Sequence, residues 1–164
     1  MEGQVMFGNL LRPQERPILE RVDRFDDAAI DAMVVIDQSS QIVPFTAKDF
    51  YRAMKQAEIT AARMHGRIVG YVLWRSHSKS LTILRFGVRA NHRRLGIGKA
   101  LIHDICKRQL NHRRRVVAVL PFEHCPFHDA ACYLLKSCGF HGNICGYEGD
   151  PKDNLVFTRK YGGA

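Results

Sequence analysis

The stretch that most restricts the fold is residues 81–120, where a strand-like run, a glycine turn, a helical run and a second strand-like run follow one another. Residues 81–88 are rich in β-branched and aromatic side chains, as strands are. Gly96 and Gly98 then open a segment in which Leu101, Ile102, Ile105 and Cys106 recur at helical spacing, to about Gln109. Residues 116–120, Val-Val-Ala-Val-Leu, are an unbroken apolar run, the pattern of a strand covered on both faces. Two strands joined through a helix cannot close as a hairpin; they pair in parallel through a crossover.

The other elements assemble around this unit. Residues 17–22 read as an opening strand, and residues 26–38 carry Ala28, Ala29, Ala32, Met33 and Ile36 at near-helical spacing. Thr46-Ala-Lys-Asp49 matches a capping box with Asp in place of Glu, and Phe50, Met54 and Ala57 continue it as a short helix. Apolar runs at 59–65 and 68–76 flank His65-Gly66-Arg67 as a hairpin. Residues 129–138 form a helix stopped by Gly139, and 144–147 and 155–161 read as two last strands around Gly149-Asp150-Pro151. The fold class is therefore α/β, a mixed sheet with flanking helices. With 164 residues the chain suits one core. Residues 1–16, polar and carrying Gly3, Gly8 and Pro13, are expected to be a flexible N-terminal arm, and residues 17–164 a single domain.

The glycine turn carries the chemistry. Arg93-Arg94-Leu95-Gly96-Ile97-Gly98 feeds from a strand directly into a helix, so successive N–H groups at the helix start make an anion cradle, with Arg93 and Arg94 adding positive charge. A Walker loop would need G-x-x-x-x-G-K-[ST], and Gly98-Lys99-Ala100 lacks the spacing and the hydroxyl. A dinucleotide fingerprint would need a third glycine, which is missing here.

This segment resembles the acyl-CoA-binding motif of the GNAT acetyltransferase superfamily, [RQ]-x-x-G-x-[GA], as Arg93-x-x-Gly96-x-Gly98, and the element order from about residue 17 to 161 resembles that family too. The resemblance implies a mostly antiparallel sheet with one splayed parallel strand pair. It implies acetyl-CoA as co-substrate, with the loop amides from Arg93 through Arg94, Leu95, Gly96 and Ile97 to Gly98, and Lys99 beside them, around the pyrophosphate. It also implies a strand bulge near Phe86, Gly87 and Val88, a gap for the pantetheine arm, and the Val88 amide as donor to the thioester carbonyl.

Proton handling is the next requirement, since only a neutral amine attacks. Deprotonating lysine at pH 7 costs about 4.6 kcal/mol, and an α-amine about 1.4 kcal/mol. Glu123, just past the strand at 116–120, is the candidate base, and its position matches the glutamate of enzymes resembling ribosomal-protein alanine N-acetyltransferases. His124 and His128 are rival bases by their ordinary pKa. The Tyr usual in that subfamily four residues before Gly-Phe is here Leu135, before Gly139-Phe140; Tyr133 lies about 200° round the helix. Tyr147, near the last turn, is the remaining candidate acid, with water as the alternative.

The expected function is transfer of an acetyl group from acetyl-CoA to a primary amine, foremost a protein N-terminal α-amine or a lysine. The alternatives are a small-molecule amine acceptor, a non-catalytic CoA-bound regulator, and a nucleic-acid-binding module. The last draws on the net charge of +9, concentrated at 89–94 and 107–115, but lacks an aromatic stacking platform and leaves the glycine turn unexplained. Five cysteines without an export signal read as cytosolic thiols, and His124, Cys125, His128 and Cys132 fit no structural-zinc spacing, so no metal is expected. No run of about 18 apolar residues offers a membrane span, and the expected location is cytoplasmic. Monomer and homodimer both stay open.

Overall fold

A computed structural model describes residues 15–41, 43–110, 115–121, 128–143 and 154–159. Strand β1 (Ile18–Arg21) precedes helices α1 (Asp27–Gln38) and α2 (Ala47–Ala53), then strands β2 (Glu58–Met64), β3 (Arg67–Ser76) and β4 (Ser80–Val88). A 3₁₀ turn (Ala90–His92) leads into α3 (Ile97–Leu110), β5 (Arg115–Pro121), α4 (His128–Ser137), β6 (His141–Asn143) and β7 (Asn154–Arg159). The strands form one sheet in the order β1-β2-β3-β4-β5-β7-β6. Every neighbouring pair is antiparallel except β4 with β5, the parallel pair that the crossover demanded.

Local chemistry explains the punctuation. Met64 pairs with Arg67, leaving His65 (φ 49°) and Gly66 (φ 75°) as a two-residue turn whose positive φ angles match the twist of the strands. The capping box is present: the Thr46 hydroxyl accepts from the Asp49 N–H at 3.3 Å, and the Asp49 carboxylate accepts from the Thr46 N–H at 3.0 Å. At the end of α4, Gly139 (φ 85°) turns the chain so that the Phe140 N–H donates to the Leu135 carbonyl at 3.0 Å, a Schellman closure. Two boundaries differ from the sequence reading. Helix α2 stops at Ala53, because Ala57 turns back into the core ahead of β2. On its side away from β5, β7 pairs with His141–Asn143, just after the Gly139 stop; the strand expected at 144–147 lies outside the described residues.

Two apolar layers clothe the sheet. Ile30, Met33 and Ile36 of α1 and Phe50 of α2 pack on Ile59, Ala61, Tyr71 and Leu73. On the opposite face, Ile97, Leu101, Ile102 and Ile105 of α3, with Leu135 of α4, cover Val72, Ile83, Val116 and Ala118. Because both faces are covered, β3 is buried continuously over residues 68–74.

The parallel pair is short. It runs from Ser80 opposite Arg115 to Ile83 opposite Ala118, after which β5 pairs only with β7. Next to this point Leu73 faces Arg85 while Trp74 faces Ile83, so Leu84 is an extra residue in β4. The bulge therefore lies at Leu84, ahead of the Phe86-Gly87-Val88 stretch where it was expected. It reverses the alternation of β4: Ile83 faces α3, whereas Leu84 and Arg85 face α1. Gly87 serves a different purpose. A Cβ there would lie 3.0 Å from Ile36 Cγ2 and 3.1 Å from Ser40 Oγ, so its missing side chain is the space into which the end of α1 packs.

Candidate active site

Past Ile83 one edge of β4 has no strand beside it in the described sheet. The Arg89 N–H donates to the Val69 carbonyl at 2.8 Å, and opposed residues of an antiparallel pair alternate between bonded and non-bonded. Phe86 and Val88 consequently direct their backbone groups away from β3, toward the gap. Their carbonyls are taken within the protein: Gln41 Nε2 donates to Phe86 at 3.0 Å and Arg93 Nε to Val88 at 3.0 Å. Their amides face the same gap, so this edge offers a guest donors more than acceptors.

At the end of β4 the chain makes its cradle. Arg94 (φ 63°) and Gly96 (φ 80°) both adopt left-handed backbone, and the Ala100 N–H donates to the Gly96 carbonyl at 2.9 Å, opening α3. The amides of Gly96, Ile97, Gly98 and Lys99 thus belong to the first turn, where helix geometry leaves N–H groups without carbonyls. The two glycines divide the work that the sequence assigned to both. Among the described residues nothing lies within 4 Å of a Cβ built at Gly96, so this is the open floor of the cradle. A Cβ at Gly98 would stand 2.9 Å from Leu134 Cδ2, so Gly98 lets α3 and α4 approach.

The flanking cations divide likewise. Arg94 and Lys99 are exposed beside the cradle, as is Leu95, while Ile97 is anchored in the core. The Arg93 guanidinium turns inward instead. Besides the Val88 carbonyl, its Nη2 donates to the Ser39 carbonyl at 2.8 Å and the Ser40 hydroxyl at 3.2 Å, at the end of α1. The side chain that the sequence reading set beside the phosphates here joins the glycine turn to α1.

Beneath Gly87 lies a buried ionic cluster that sequence reading missed. Asp37, wholly buried in the last turn of α1, accepts from Arg85 Nη2 at 2.7 Å, from the Phe45 N–H at 2.6 Å and from the Tyr71 hydroxyl. Arg85 also donates to the Val43 carbonyl at 2.6 Å and stacks 3.9 Å above the Phe45 ring. Burial lowers the Arg85 pKa, but the hydrogen bonds and charge of Asp37 outweigh it, so its pKa is raised. Burial, reinforced by Asp37, holds the Tyr71 phenol well above its ordinary value, which leaves it a structural donor. A signal existed: one acid in the apolar stripe of α1 and one base in the apolar run of β4 each lacked a local explanation.

Of the expected proton carriers, Glu123 and Tyr147 lie outside the described residues, as do His124 and Cys125, and His128 opens α4. Leu135 is fully buried in the core and Tyr133 is 77% exposed, which agrees with the helical-wheel argument against a phenol from this helix. Cys132 packs against the α3/α4 core, and among the described residues no cluster of metal-binding side chains forms.

A splayed parallel pair, a helix-start cradle at Gly96 and donors along the open β4 edge suit a long phosphorylated acyl carrier. Residues 55–142, more than half of the chain, match the acetyltransferase (GNAT) domain family. The chain belongs to the GNAT family. As such it is an acetyl-CoA-dependent acetyltransferase, with acetyl-CoA as its co-substrate. The ribosomal-protein-S18-alanine N-acetyltransferase of Escherichia coli shares its fold at a TM-score of 0.71 and 15% identity, over 90% of this chain and 96% of that one. So does NAA60 of Arabidopsis thaliana, solved with a bisubstrate analogue, at 0.67 and 18%, over 90% and 100%. A GNAT acetyltransferase of Elizabethkingia anophelis, solved with acetyl-CoA bound, aligns at 0.68 and 13%, over 90% and 99%. A comparison with curated proteins finds no match. Among the described residues no helix is long and apolar enough to cross a membrane.

Proposed function

We propose that this GNAT enzyme acetylates a protein N-terminal α-amine, or a lysine, by direct attack of the amine on acetyl-CoA. The observation that carries the cofactor side is the cradle at Gly96, open above its backbone and flanked by the exposed Arg94 and Lys99. The co-substrate supplies the activated acyl group. The first-turn amides of α3 hold its pyrophosphate, and the β4 amides donate to carbonyls along the arm. Either Val88 or the deeper Phe86 amide, nearer the bulge, serves as the donor to the charge that develops on the thioester oxygen.

On the acceptor side, Glu123 is the nearest carboxylate in sequence beyond β5, which ends at Pro121. It takes the proton from the acceptor ammonium, and an α-amine needs that help least, at about 1.4 kcal/mol for neutralisation at pH 7. The fold likeness to the ribosomal-protein-S18-alanine N-acetyltransferase of Escherichia coli supports the same choice. Tyr147 or water returns a proton to the departing thiolate.

Calorimetric titration with acetyl-CoA tests the cradle. The wild-type protein binds, and Gly96→Asp does not, because a side chain and a negative charge enter the phosphate site; undiminished affinity in the variant removes the basis of the assignment. Glu123→Gln is expected to lower kcat at least 100-fold toward a peptide with a free N-terminal alanine, with acetyl-CoA affinity unchanged. A rate equal to wild type at pH 7 passes the role of base to His124 or His128.

A further inference from the structure

We propose that Arg93 is a positioning residue that fixes the acceptor-side wall of the cleft to the cofactor turn, and is not a ligand of the cofactor phosphates. The proposal rests on the acetyl-CoA cleft assigned above. Arg93 stands first in the Arg93-x-x-Gly96-x-Gly98 turn, yet its side chain spans from the Val88 carbonyl (3.0 Å) to the Ser39 carbonyl (2.8 Å) and the Ser40 hydroxyl (3.2 Å). Those bonds commit its Nε to the last residue of β4 and its Nη2 to the end of α1.

What lies at the far end of that span is a wall of the gap. Gln41, the next residue, donates to the Phe86 carbonyl at the open β4 edge, and Val43 and Phe45 are fastened to β4 through Arg85 and Asp37. The opposite face of the gap belongs to α3 and α4, which bury Val116 and Ala118 of β5 completely. Val117 and Val119, alternating with them and so turned to the α1 side, are only half-buried. An amine therefore approaches past the α1–α2 connection. Among the described residues, that connection and the end of α1 are tied to β4 and the glycine turn by Arg93 at Ser39 and Ser40, by Gln41 at Phe86, and by Arg85 at Asp37 and Val43. Arg93 alone belongs to the turn itself, so it transmits the cofactor loop's position to the wall that the acceptor meets.

The test compares Arg93→Ala with Arg94→Ala in the full chain by hydrogen exchange of the peptide spanning 39–45 and by calorimetry with acetyl-CoA. In Arg93→Ala, exchange in 39–45 is expected to speed up at least tenfold while the Kd for acetyl-CoA stays within fivefold of wild type. In Arg94→Ala the pattern reverses, with a weakened Kd and unchanged exchange. With an alanine-initiated peptide as probe, Arg93→Ala raises the KM of the peptide more than that of acetyl-CoA. Unchanged exchange, or a Kd raised more than fivefold, in Arg93→Ala overturns the proposal. Should that variant not fold, Arg93→Gln, which keeps a donor for Val88 but is too short to reach Ser39 as well, is judged by the same two limits. Failure of wild-type protein to bind acetyl-CoA overturns the cofactor assignment instead, and the exchange measurement still decides the role of Arg93 as the tie to α1.

Discussion

At the scale of single residues, the most heavily committed charge among the described residues is Asp37. It stands at the C-terminal end of α1, where the helix dipole opposes an acid, and it is fully buried. It persists there because Arg85, Tyr71 and the Phe45 amide all donate to it. Removing one partner strands the other, so Asp37→Ala is expected to cost about 3–5 kcal/mol in urea unfolding. Asp37→Ala combined with Arg85→Met should cost less than the two single losses added, since neither charge is then left alone. A loss within 1 kcal/mol for Asp37→Ala would mean that the cluster is solvated in solution. The cluster also holds Val43 and Phe45 in place, so the same variant loosens the α1–α2 connection.

At the scale of elements, the bulge at Leu84 and the contact at Gly98 set the cleft from opposite faces. The bulge turns Arg85 to α1; without it the guanidinium would face the apolar side chains of α3. Gly98 meanwhile brings α3 against α4 through Leu134. An alanine at Gly98 is expected to be nearly neutral, because the Leu134 methyl can rotate aside and a helix favours Ala over Gly by about 1 kcal/mol. Gly98→Val is branched at Cβ and has no such escape. It should lose about 1–3 kcal/mol in thermal or urea unfolding, and Leu134→Ala in the same chain should restore part of it. If Gly98→Val unfolds as wild type does, the two helices are not in this contact.

At the scale of the whole molecule, six strands of the described sheet and both helical layers were legible from periodicity and punctuation, while β6 at His141–Asn143 was not. Thr46 and Asp49, Gly66 and Gly139 each act as their residue types suggest, and the crossover at 81–120 forced the parallel pair. Legibility ended where a residue's task is set by something distant in sequence. The bulge at Leu84 depends on strand register, which no local pattern encodes. The inward turn of Arg93 depends on Ser39 and Ser40, brought near by the packing of α1 on Gly87. Gly96 and Gly98 look alike in a motif, and only the position of Leu134 separates an open floor from a helix contact. The candidate base Glu123 and candidate acid Tyr147 lie outside the described residues, so both rest on the sequence reading alone.

The four-residue parallel seam also bears on how the chain is made. Strands β1 to β4 form an antiparallel block that is complete in sequence by Val88, and β5, β7 and β6 form a second that is synthesised later. Synthesis proceeds from the N-terminus, so the first block can close on α1 and α2 while β5 is still unmade. Until the seam forms, β4 presents a bare hydrogen-bonding edge, the kind of surface on which chains pair wrongly. The Ser80–Ile83 edge that β5 covers in the finished sheet is thus bare for an interval during synthesis, next to a stretch of β4 that stays without a partner strand afterwards.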